Sequence, residues 1–361
     1  MEAINHHNLP LLPPEMDIQP PLKLITEAYH AIGELKGRMY RDVINPNLIV
    51  APLLNKEAVA SSKIEGTQTT VEEVLRYEAG DKKEEDPDIL EVLNYRTAIY
   101  ESIEYLKKKP SGENLVKTLH RTLLSSVRGK EKDPGNFRRT TVHLGKPGSQ
   151  ADEALYIPPK PDEITELMKN WVEFIHEKDI DLLIRVAISH YQFEAIHPFM
   201  DGNGRVGRLL IPIIMYEQGM IPFPYFYISD YFEQHRSDYY EAFRLVDREQ
   251  DWDAWVRFFL IAVKETAIQM QTKVVSMYEL YGRVKEEIVH MNSQYAQLFL
   301  DLLFERPIIS AKDILQRLEQ PSTQTIYNLT KKFETAGIIR EITGQKRNQI
   351  FAFDALLDII K

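Results

Sequence analysis

The chain has 361 residues, which is enough for two or three domains, and 43% of them are hydrophobic, which is enough to build buried cores. Its net charge of −10 argues against a protein dominated by affinity for nucleic acid, and the absence of cysteine excludes disulfides, thiolate metal sites and a cysteine nucleophile. Neither a signal peptide nor a membrane-spanning run is visible in the sequence, so we expect a cytoplasmic protein with no membrane partner.

The N-terminal segment is predicted to be an extended leader followed by helices. Residues 1–22 are rich in proline and polar residues, whereas apolar residues recur at helical spacing over 22–36. Asn55 is placed to cap a short helix over residues 56–65, and Gly66 is placed to end it.

Further helices are predicted up to residue 125, where the character of the chain changes. Thr70 and Glu73 have the spacing of a capping box and should open one helix. After a charged loop, apolar periodicity predicts two more helices, over residues 89–107 and 113–125. Residues 126–160 are rich in Gly, Pro, Thr and Val and predict a long loop that contains a short hairpin.

The C-terminal half is predicted to contain two apolar helices, further helices and then a small separate module. The two apolar helical faces are formed by Leu183, Val186, Ala187, His190 and Tyr191, and by Val206, Leu209, Leu210, Ile213 and Ile214. More helix is predicted over 236–246 and 253–285. Helices over 295–304, 310–318 and 322–336, followed by two short strands around Gly344, have the pattern of a winged helix-turn-helix.

The segment from Asp201 to Arg205 predicts a site for phosphate groups. Two glycines flank Asn203 directly before an apolar helix, so successive backbone N–H groups can converge at the helix N-terminus and bind an anion. Arg205 and Arg208 are three residues apart near the start of that helix, and two guanidinium groups suit a polyphosphate. A carboxylate at Asp201 makes sense beside phosphates mainly if Mg²⁺ lies between them.

His197 stands four residues before Asp201 and is a candidate general base. An ordinary imidazole is largely neutral at cytoplasmic pH, so it can accept the proton of a hydroxyl that attacks phosphorus. An isolated histidine, a Gly-Asn-Gly turn or a pair of arginines is usually structural. All of them fall within twelve residues here, in an order that suits phosphoryl or nucleotidyl transfer.

The same segment, HPFMDGNGRVGR, resembles the signature HPFx(D/E)GNGRxxR of the Fic family at every defined position. The resemblance implies an all-helical core and transfer of AMP from ATP to Ser, Thr or Tyr hydroxyls of a protein. It makes His197 the catalytic base and Asp201 the ligand of Mg²⁺. It implies that ATP is bound by Gly202, Asn203, Gly204, Arg205, Val206, Gly207 and Arg208, with Arg208 holding the γ-phosphate.

A second segment, Ser61 to Gly66, resembles the inhibitory motif (S/T)xxxE(G/N) of Fic proteins. Ser61 and Glu65 share a helical face, and Glu65 alone would most simply face water. The resemblance implies instead that Glu65 pairs with Arg208, takes the position of the γ-phosphate and inhibits transfer. Breaking a shielded ion pair can change a rate by orders of magnitude.

Two further segments resemble family features less specifically. Residues 133–139 and the stretch Leu155, Tyr156 and Ile157 are similar to the base and return strand of a β-hairpin flap that aligns the target by strand pairing, although an ordinary surface hairpin fits them too. Tyr239 and Tyr240 lie where family members use a tyrosine against the nucleotide, and we favour Tyr240 for stacking and the other for core packing.

We therefore expect a mainly α protein with a Fic helical core, a β-hairpin flap and a C-terminal winged helix. The expected parts are an N-terminal helical region (1–108), a catalytic core (109–265), a linker helix (266–289) and the winged helix (290–361). The expected partners are ATP, Mg²⁺ and an unidentified target protein. Self-modification, a homodimer and DNA binding by residues 290–361 stay open.

Two alternatives to AMP transfer also remain open at this point. One is transfer of a different nucleotide, or removal of AMP, on the same scaffold. The other is a DNA-binding regulator that only senses a nucleotide, although sensing does not need the base that His197 provides.

Overall fold

A computed structural model describes residues 4–5, 9–14, 22–39, 45–81, 86–125, 129–145, 154–318, 322–345 and 347–361. The protein is mainly helical, as the sequence predicts. Much of the predicted leader, the centre of the charged loop at 82–85, the tip of the predicted hairpin at 146–153 and the predicted turn at 319–321 lie outside the described residues.

Five helices form the N-terminal part of the chain. They are α1 (Leu22–Met39), α2 (Pro46–Ile64), α3 (Val71–Glu78), α4 (Pro87–Leu106) and α5 (Glu113–Leu123). Helix α3 begins at the predicted capping box, in which the Thr70 hydroxyl accepts from the Glu73 N–H and the Glu73 carboxylate accepts from the Thr70 N–H. This reciprocal pair satisfies two backbone donors at the helix start.

The prediction for α2 was wrong at its N-terminus. The helix begins ten residues before the predicted start at Lys56 and contains Pro52, and Asn55 is a buried interior residue that accepts a hydrogen bond from Arg96 instead of a cap. The first half of α2 is buried through Leu48, Ile49, Val50, Leu53 and Leu54. A helix buried on several sides lacks the polar stripe that sequence periodicity detects.

Six helices follow the loop region, and the second of them is almost entirely buried. They are α6 (Ile164–Ile175), α7 (Leu182–Ile196), α8 (Asn203–Glu217), α9 (Ile228–Gln234), α10 (Arg236–Glu249) and α11 (Trp252–Val289). The indole N–H groups of Trp171 and Trp255 donate to the carbonyls of Ser189 and Ala187, which ties α7 to α6 and α11. Helix α7 is therefore the central element, and α8 packs against it.

Helix α11 is one continuous helix of 38 residues, about 57 Å long at 1.5 Å per residue. The segment 266–289, predicted as a linker helix, is the C-terminal part of α11 and continues the helix without a break. Helix α1 packs along α11, and the Gln271 side-chain amide donates to the Ala31 carbonyl between them. The long helix thus connects the central helices to the C-terminal part of the chain.

Few strands occur in the described part of the loop region. Strand β1 (Ile4–Asn5) pairs in parallel with β2 (Tyr156–Ile157), and Leu144 forms an isolated antiparallel bridge with Tyr156. The predicted hairpin is therefore represented by one bridge among the described residues. The leader was not predicted to pair with it, because a contact between residues 150 positions apart leaves no trace in local periodicity.

The C-terminal part has the helices and strands predicted for a winged helix and two more elements. It comprises α12 (Ala296–Glu305), β3 (Ile308–Ser310), α13 (Ala311–Arg317), α14 (Thr323–Thr335), β4 (Arg340–Glu341), β5 (Ile350–Ala352) and α15 (Asp354–Ile360). The antiparallel sheet has the strand order β3–β5–β4, and neither β3 nor α15 was predicted.

Helix α14, the third predicted helix of the winged helix-turn-helix, has a polar exposed face. Its exposed residues include Gln324, Tyr327, Asn328 and Lys331. The ammonium of Lys332 donates to the carbonyl of Met291. Across the part of the chain that is described, the helices are too short or too polar to cross a lipid bilayer.

The capping box of α3 gives a test of this local structure. Thr70→Ala removes the side-chain acceptor for the Glu73 N–H and should lower the free energy of unfolding by about 1 kcal/mol. Urea denaturation and hydrogen exchange of the α3 amides measure the change. Thr97→Ala, at an exposed position inside α4, is the matched control and should be neutral or slightly stabilising. Equal effects of the two substitutions would contradict the capping role.

Candidate active site

The loop between α7 and α8 is held in a fixed shape by its own side chains and backbone. His197 ends α7 in a left-handed conformation (φ 49°), and Gly202 adopts φ 76° directly before α8. The Asn203 side chain accepts from the Phe199 N–H and donates to the Phe199 carbonyl, both at 2.9 Å. The amide of Asn203 therefore fastens the loop, and its backbone is left to face any ligand.

The N-terminus of α8 presents free hydrogen-bond donors. The first backbone bond of the helix runs from Val206 to the carbonyl of Gly202, so the N–H groups of Asn203, Gly204 and Arg205 have no partner among the described residues. Three unpaired donors and the positive end of the helix dipole are features that favour binding of an anion, and the phosphate site at these residues stays a prediction.

Arg208 lies one turn further along α8 and is engaged by the end of α2. Its guanidinium, in a side chain only 2% exposed, donates to Glu65 Oε1 at 2.6 Å, to the Ser61 hydroxyl at 3.0 Å and to the Ser61 carbonyl at 2.9 Å. The contact between Glu65 and Arg208 that the resemblance implies is thus present. A buried guanidinium needs such an anion, because an unpaired buried charge costs several kcal/mol.

Glu65 also lies over the N-terminus of α8. A methyl group on Gly204 would overlap Glu65 Oε1, so only glycine allows the carboxylate to approach the helix this closely. Gly66 follows with φ 102° and turns the chain away after α2. The carboxylate of Glu65 consequently stands where an anion bound to α8 would stand.

The charges of this pair stabilise each other. Burial alone would raise the pKa of Glu65, but the charge and hydrogen bond of Arg208 outweigh it and hold that pKa below its usual value. Burial alone would lower the pKa of Arg208, but the nearby Glu65 carboxylate raises it. Both groups therefore stay ionised at neutral pH.

His197 is placed as a neutral base beside this anion site. Its Nδ1 lies 3.4 Å from the Glu194 carbonyl, which can only accept, so Nδ1 carries the proton and Nε2 keeps its lone pair. Burial lowers the pKa of His197 to about 4, and the imidazole is therefore uncharged at neutral pH. The ring can accept a proton without first losing one.

Arg205 and Asp201 differ in exposure. Arg205 is buried and paired with Glu91 of α4 at 2.9 Å, while its other terminal nitrogen lies 3.7 Å from Asp201 Oδ1. The Asp201 side chain is 48% exposed and accepts from the Gly202 N–H. Arg205 thus contributes positive charge from a buried position, whereas the Asp201 carboxylate is exposed to solvent.

The protein side chains at this site can hold a magnesium ion only if a bound substrate supplies further oxygen ligands. The described residues include no cluster of three His, Asp or Glu side chains suited to hold a metal. Mg²⁺ is commonly bound by one or two carboxylates and the phosphates of a substrate, with water completing its shell. The exposed carboxylate of Asp201 beside the anion site meets that requirement.

Two residues that support the loop were not identified as site residues from the sequence. His120 of α5 accepts from the Gly135 N–H through Nδ1, lies 3.0 Å from the Asp201 carbonyl through Nε2 and stacks on Phe199 at 3.7 Å. Burial lowers its pKa to about 4, so it remains neutral. No local motif marks such a residue, because its partners are 15 and 81 positions away.

The second is Arg138, which the sequence analysis includes only within residues 133–139, the base of the predicted flap. It is 2% exposed, and its Nε donates to the His197 carbonyl at 2.8 Å. Its other nitrogens donate to the carbonyls of Thr140 and Pro159. Arg138 thus joins the base of the predicted flap to the loop that carries His197.

The predicted flap residues lie beside the site, but their strand is already paired on both sides. Tyr156 bridges Leu144 on one side and pairs with Ile4 on the other, and its hydroxyl donates to the Ala195 carbonyl at 2.6 Å. Leu155 is exposed and Ile157 pairs with Asn5. A target strand that pairs with Tyr156 and Ile157 on the β1 side must therefore displace β1.

The two predicted tyrosines have different surroundings. Tyr239 is 1% exposed, and its hydroxyl lies 2.8 Å from His190 Nε2 within a cluster of aromatic rings. Tyr240 is 38% exposed. This is the division between core packing and an available ring that the sequence suggests. Val206, also a predicted nucleotide contact, is buried in the core, so only its backbone can face a ligand.

Comparisons with known proteins agree with this geometry. The sequence profile of the Fic/DOC family N-terminal region matches residues 22–104, and that of the Fic/DOC family matches residues 110–215. A probable protein adenylyltransferase of Aquifex aeolicus is 29% identical over 176 residues, which are 47% of this chain and 50% of that protein. The protein adenylyltransferase Fic of Drosophila melanogaster is 33% identical over 154 residues, 41% of this chain and 27% of its own.

Solved structures show the same fold. A Fic family protein from Desulfovibrio desulfuricans is 24% identical, with a TM-score of 0.58, and the match covers 93% of this chain and 98% of that one. A fragment of Fic-1 from C. elegans is 18% identical, with a TM-score of 0.55 over 71% of this chain and 73% of the fragment. The two profiles together match more than half of the chain. The first covers the N-terminal helices and the second covers the segment from His197 to Arg208, so the chain belongs to the Fic/DOC family.

Proposed function

We propose that this protein transfers AMP from ATP to a Ser, Thr or Tyr hydroxyl of a target protein and that Glu65 inhibits the transfer. The observation that carries the proposal is the place of the Glu65 carboxylate: it bonds to Arg208, lies against Gly204 at the α8 N-terminus and interacts with His197. The names of the Aquifex and Drosophila relatives support the same activity, although the chain spans half or less of their length.

The arrangement suits attack on the α-phosphorus of a bound nucleotide. The target hydroxyl oxygen forms a bond to that phosphorus, the bond to the β-phosphate oxygen breaks, and diphosphate leaves. His197 Nε2 takes the hydroxyl proton as the new bond forms. The N–H groups of α8 stabilise the negative charge of the phosphates without rearrangement, because the loop is already fixed by Asn203 and His120. The two arginines add positive charge, and Arg208 donates to a phosphate once it is released from Glu65.

Asp201 is the residue that would hold Mg²⁺ in this reaction. Bound there, the ion would neutralise charge on the phosphates and on the leaving diphosphate. The exposure of the Asp201 carboxylate leaves room for the ion between the protein and the nucleotide.

Inhibition follows from competition for Arg208. Its guanidinium donates to Glu65 in this structure and cannot donate to a phosphate oxygen in the same geometry. Glu65 also lies over the N–H groups that a phosphate would use. A triphosphate whose terminal group is displaced presents its α-phosphorus in the wrong direction for attack.

Removing the inhibitory carboxylate should activate the enzyme. In the presence of ATP and Mg²⁺, Glu65→Gly should label itself or proteins of a lysate with AMP at least about tenfold faster than wild type, because loss of about 1.4 kcal/mol of competing interaction is worth a factor of ten. Mass spectrometry of the labelled residue distinguishes AMP from other nucleotides when ATP, GTP and UTP are compared.

The control is Glu177→Gly, a matched change at an exposed loop position after α6, which should label at the wild-type rate. Equal rates for wild type and Glu65→Gly would contradict the inhibitory role. Removal of AMP from a labelled target, with no labelling by either protein, would favour hydrolysis as the activity of the same site.

The base is tested separately from nucleotide binding. In the Glu65→Gly background, His197→Ala should lower the labelling rate by about two or more orders of magnitude, because the hydroxyl loses its proton acceptor. The dissociation constant for ATP, measured by isothermal titration calorimetry, should change little. His290→Ala, at an exposed position after α11, should leave both unchanged. Full labelling by the His197→Ala variant would show that the protein needs no imidazole base.

A further inference from the structure

A cavity lies between the N-terminal helices and the C-terminal part of the chain. Its volume is about 390 Å³, which is within the range of small-molecule sites, roughly 300–1,000 Å³. Its walls come from α2, α3 and α4 on one side and from the end of α12 and α13 on the other. The described residues that line it include none from 61–66 or 197–208, so the cavity is distinct from the candidate active site.

One part of the cavity wall is apolar. It is lined by Val50 and Ala51 of α2, Leu75 of α3, and Tyr100 and Tyr225. The two tyrosine rings form an edge-to-face pair, with centroids 6.5 Å apart and planes at 68°. Aromatic rings offer a large apolar surface and pair favourably with other rings. The wall is therefore suited to the flat apolar body of an organic molecule.

Four hydrogen-bond donors in the wall have no acceptor within the described ranges. They are the side-chain amino group of Asn55, the hydroxyls of Tyr100 and Tyr225 and the guanidinium of Arg306. The side-chain carbonyl of Asn55 is already used, since it accepts from Arg96 at 2.9 Å. Asn55 is 2% exposed and Tyr225 6%. Polar groups with so little access to water normally have a partner, and a ligand with acceptor atoms would supply one.

The charged residues of the wall leave one positive charge in excess, because three arginines and two glutamates line the cavity. Arg96 donates to Glu78 through two hydrogen bonds, one of them 2.8 Å long. Arg317 lies 3.4 Å from Glu305. Both acids are thus paired, and Arg306 is the third guanidinium, for which the described residues supply no anion. Guanidinium groups form their strongest hydrogen bonds with carboxylates and phosphates.

The excess of a single charge favours a carboxylate over a phosphate. A carboxylate carries one negative charge at neutral pH, whereas a phosphate monoester carries between about 1.5 and 2. The additional charge of a phosphate would face Glu78 and Glu305 in the same wall without a further cation to balance it.

We propose that this cavity is a second ligand site of the protein and that it binds a small aromatic carboxylate. The carboxylate accepts from Arg306 and from the tyrosine hydroxyls, and the ring of the ligand packs against Val50 and Leu75. The inference is independent of the proposed function, since neither ATP nor a target protein takes part in it.

Benzoate is the probe that tests the site. Its binding to the full wild-type chain is followed by methyl NMR at millimolar concentrations, because ligands of this size bind weakly. Benzoate should shift the methyl resonances of Val50 and Leu75. Benzamide has the same shape without the charge and should bind at least about tenfold more weakly, because a charge-assisted hydrogen bond is stronger than a neutral one.

Three variants assign the contacts. Arg306→Ala should weaken the binding of benzoate about tenfold and have little effect on benzamide, since the guanidinium pairs only with the charged ligand. Tyr100→Phe keeps the ring, removes one donor and should weaken benzoate by about threefold. The control is Arg283→Ala, which removes a positive charge at an exposed position of α11 and should bind benzoate as wild type does.

Equal affinities for benzoate and benzamide would overturn the assignment to an anion, and tighter binding of phenyl phosphate than of benzoate would overturn the choice of a carboxylate. Shifts of the Val206 methyl groups in α8 without shifts of Val50 and Leu75 would place benzoate outside this cavity. An unchanged affinity in Arg306→Ala would do the same. If benzoate does not bind to the wild type at all, the proposal is wrong, while AMP transfer by Glu65→Gly is untouched.

Discussion

The arrangement of the site depends on the need of one buried guanidinium for an anion. Arg208 is 2% exposed and lies at the start of a helix whose terminal N–H groups are unpaired, so positive charge accumulates at a point that water reaches poorly. Leaving that charge without a partner costs several kcal/mol. Glu65 supplies the anion in this structure, and a phosphate group supplies it in the proposed reaction. The same requirement thus accounts for binding and for inhibition.

The carboxylate of Glu65 follows directly on α2, which is anchored by other contacts. On that helix the buried Glu57 accepts from the Tyr95 hydroxyl and from both the N–H and the hydroxyl of Ser229. Burial raises the pKa of Glu57 to about 7. These bonds connect α2 to α4 and α9, and α2 also packs on α12 of the C-terminal part. The α2 backbone that precedes Glu65 is therefore held by contacts with several parts of the chain.

Two carboxylates, those of Glu65 and Glu194, lie close to α8 and differ in their charge state. Gly204 and Gly207 remove the side chains that would keep Glu65 and Glu194 at a distance. Glu65 meets a cation and stays ionised, whereas Glu194 lies in a less polar position and is neutral at pH 7. Two acids beside the same helix thus differ in charge at neutral pH, because their environments move their pKa values in opposite directions.

Much of the fold and of the site could be predicted from local sequence. Helical periodicity gave most helices, and the spacing of Thr70 and Glu73 gave a cap. The segment from His197 to Arg208 indicated a helix N-terminus with free donors, because a histidine, two glycines and two arginines occur together directly at the start of an apolar helix. Errors occurred where local patterns carry no information: the buried first half of α2 has no polar stripe, and the pairing of β1 with β2 joins distant residues.

The sequence by itself determined the chemistry that is available: an imidazole, an anion-binding helix start, two arginines and an acid in a recognisable order. Only the tertiary structure decided which groups meet. It brought Glu65 to Arg208 across 143 positions and placed His120 and Arg138 against the loop that carries His197. Within the described ranges it left Glu194 Oε1 without a hydrogen-bond partner. The physical reason is that pairing and burial are properties of the packed helices, and burial sets both the pKa of a side chain and its need for a partner.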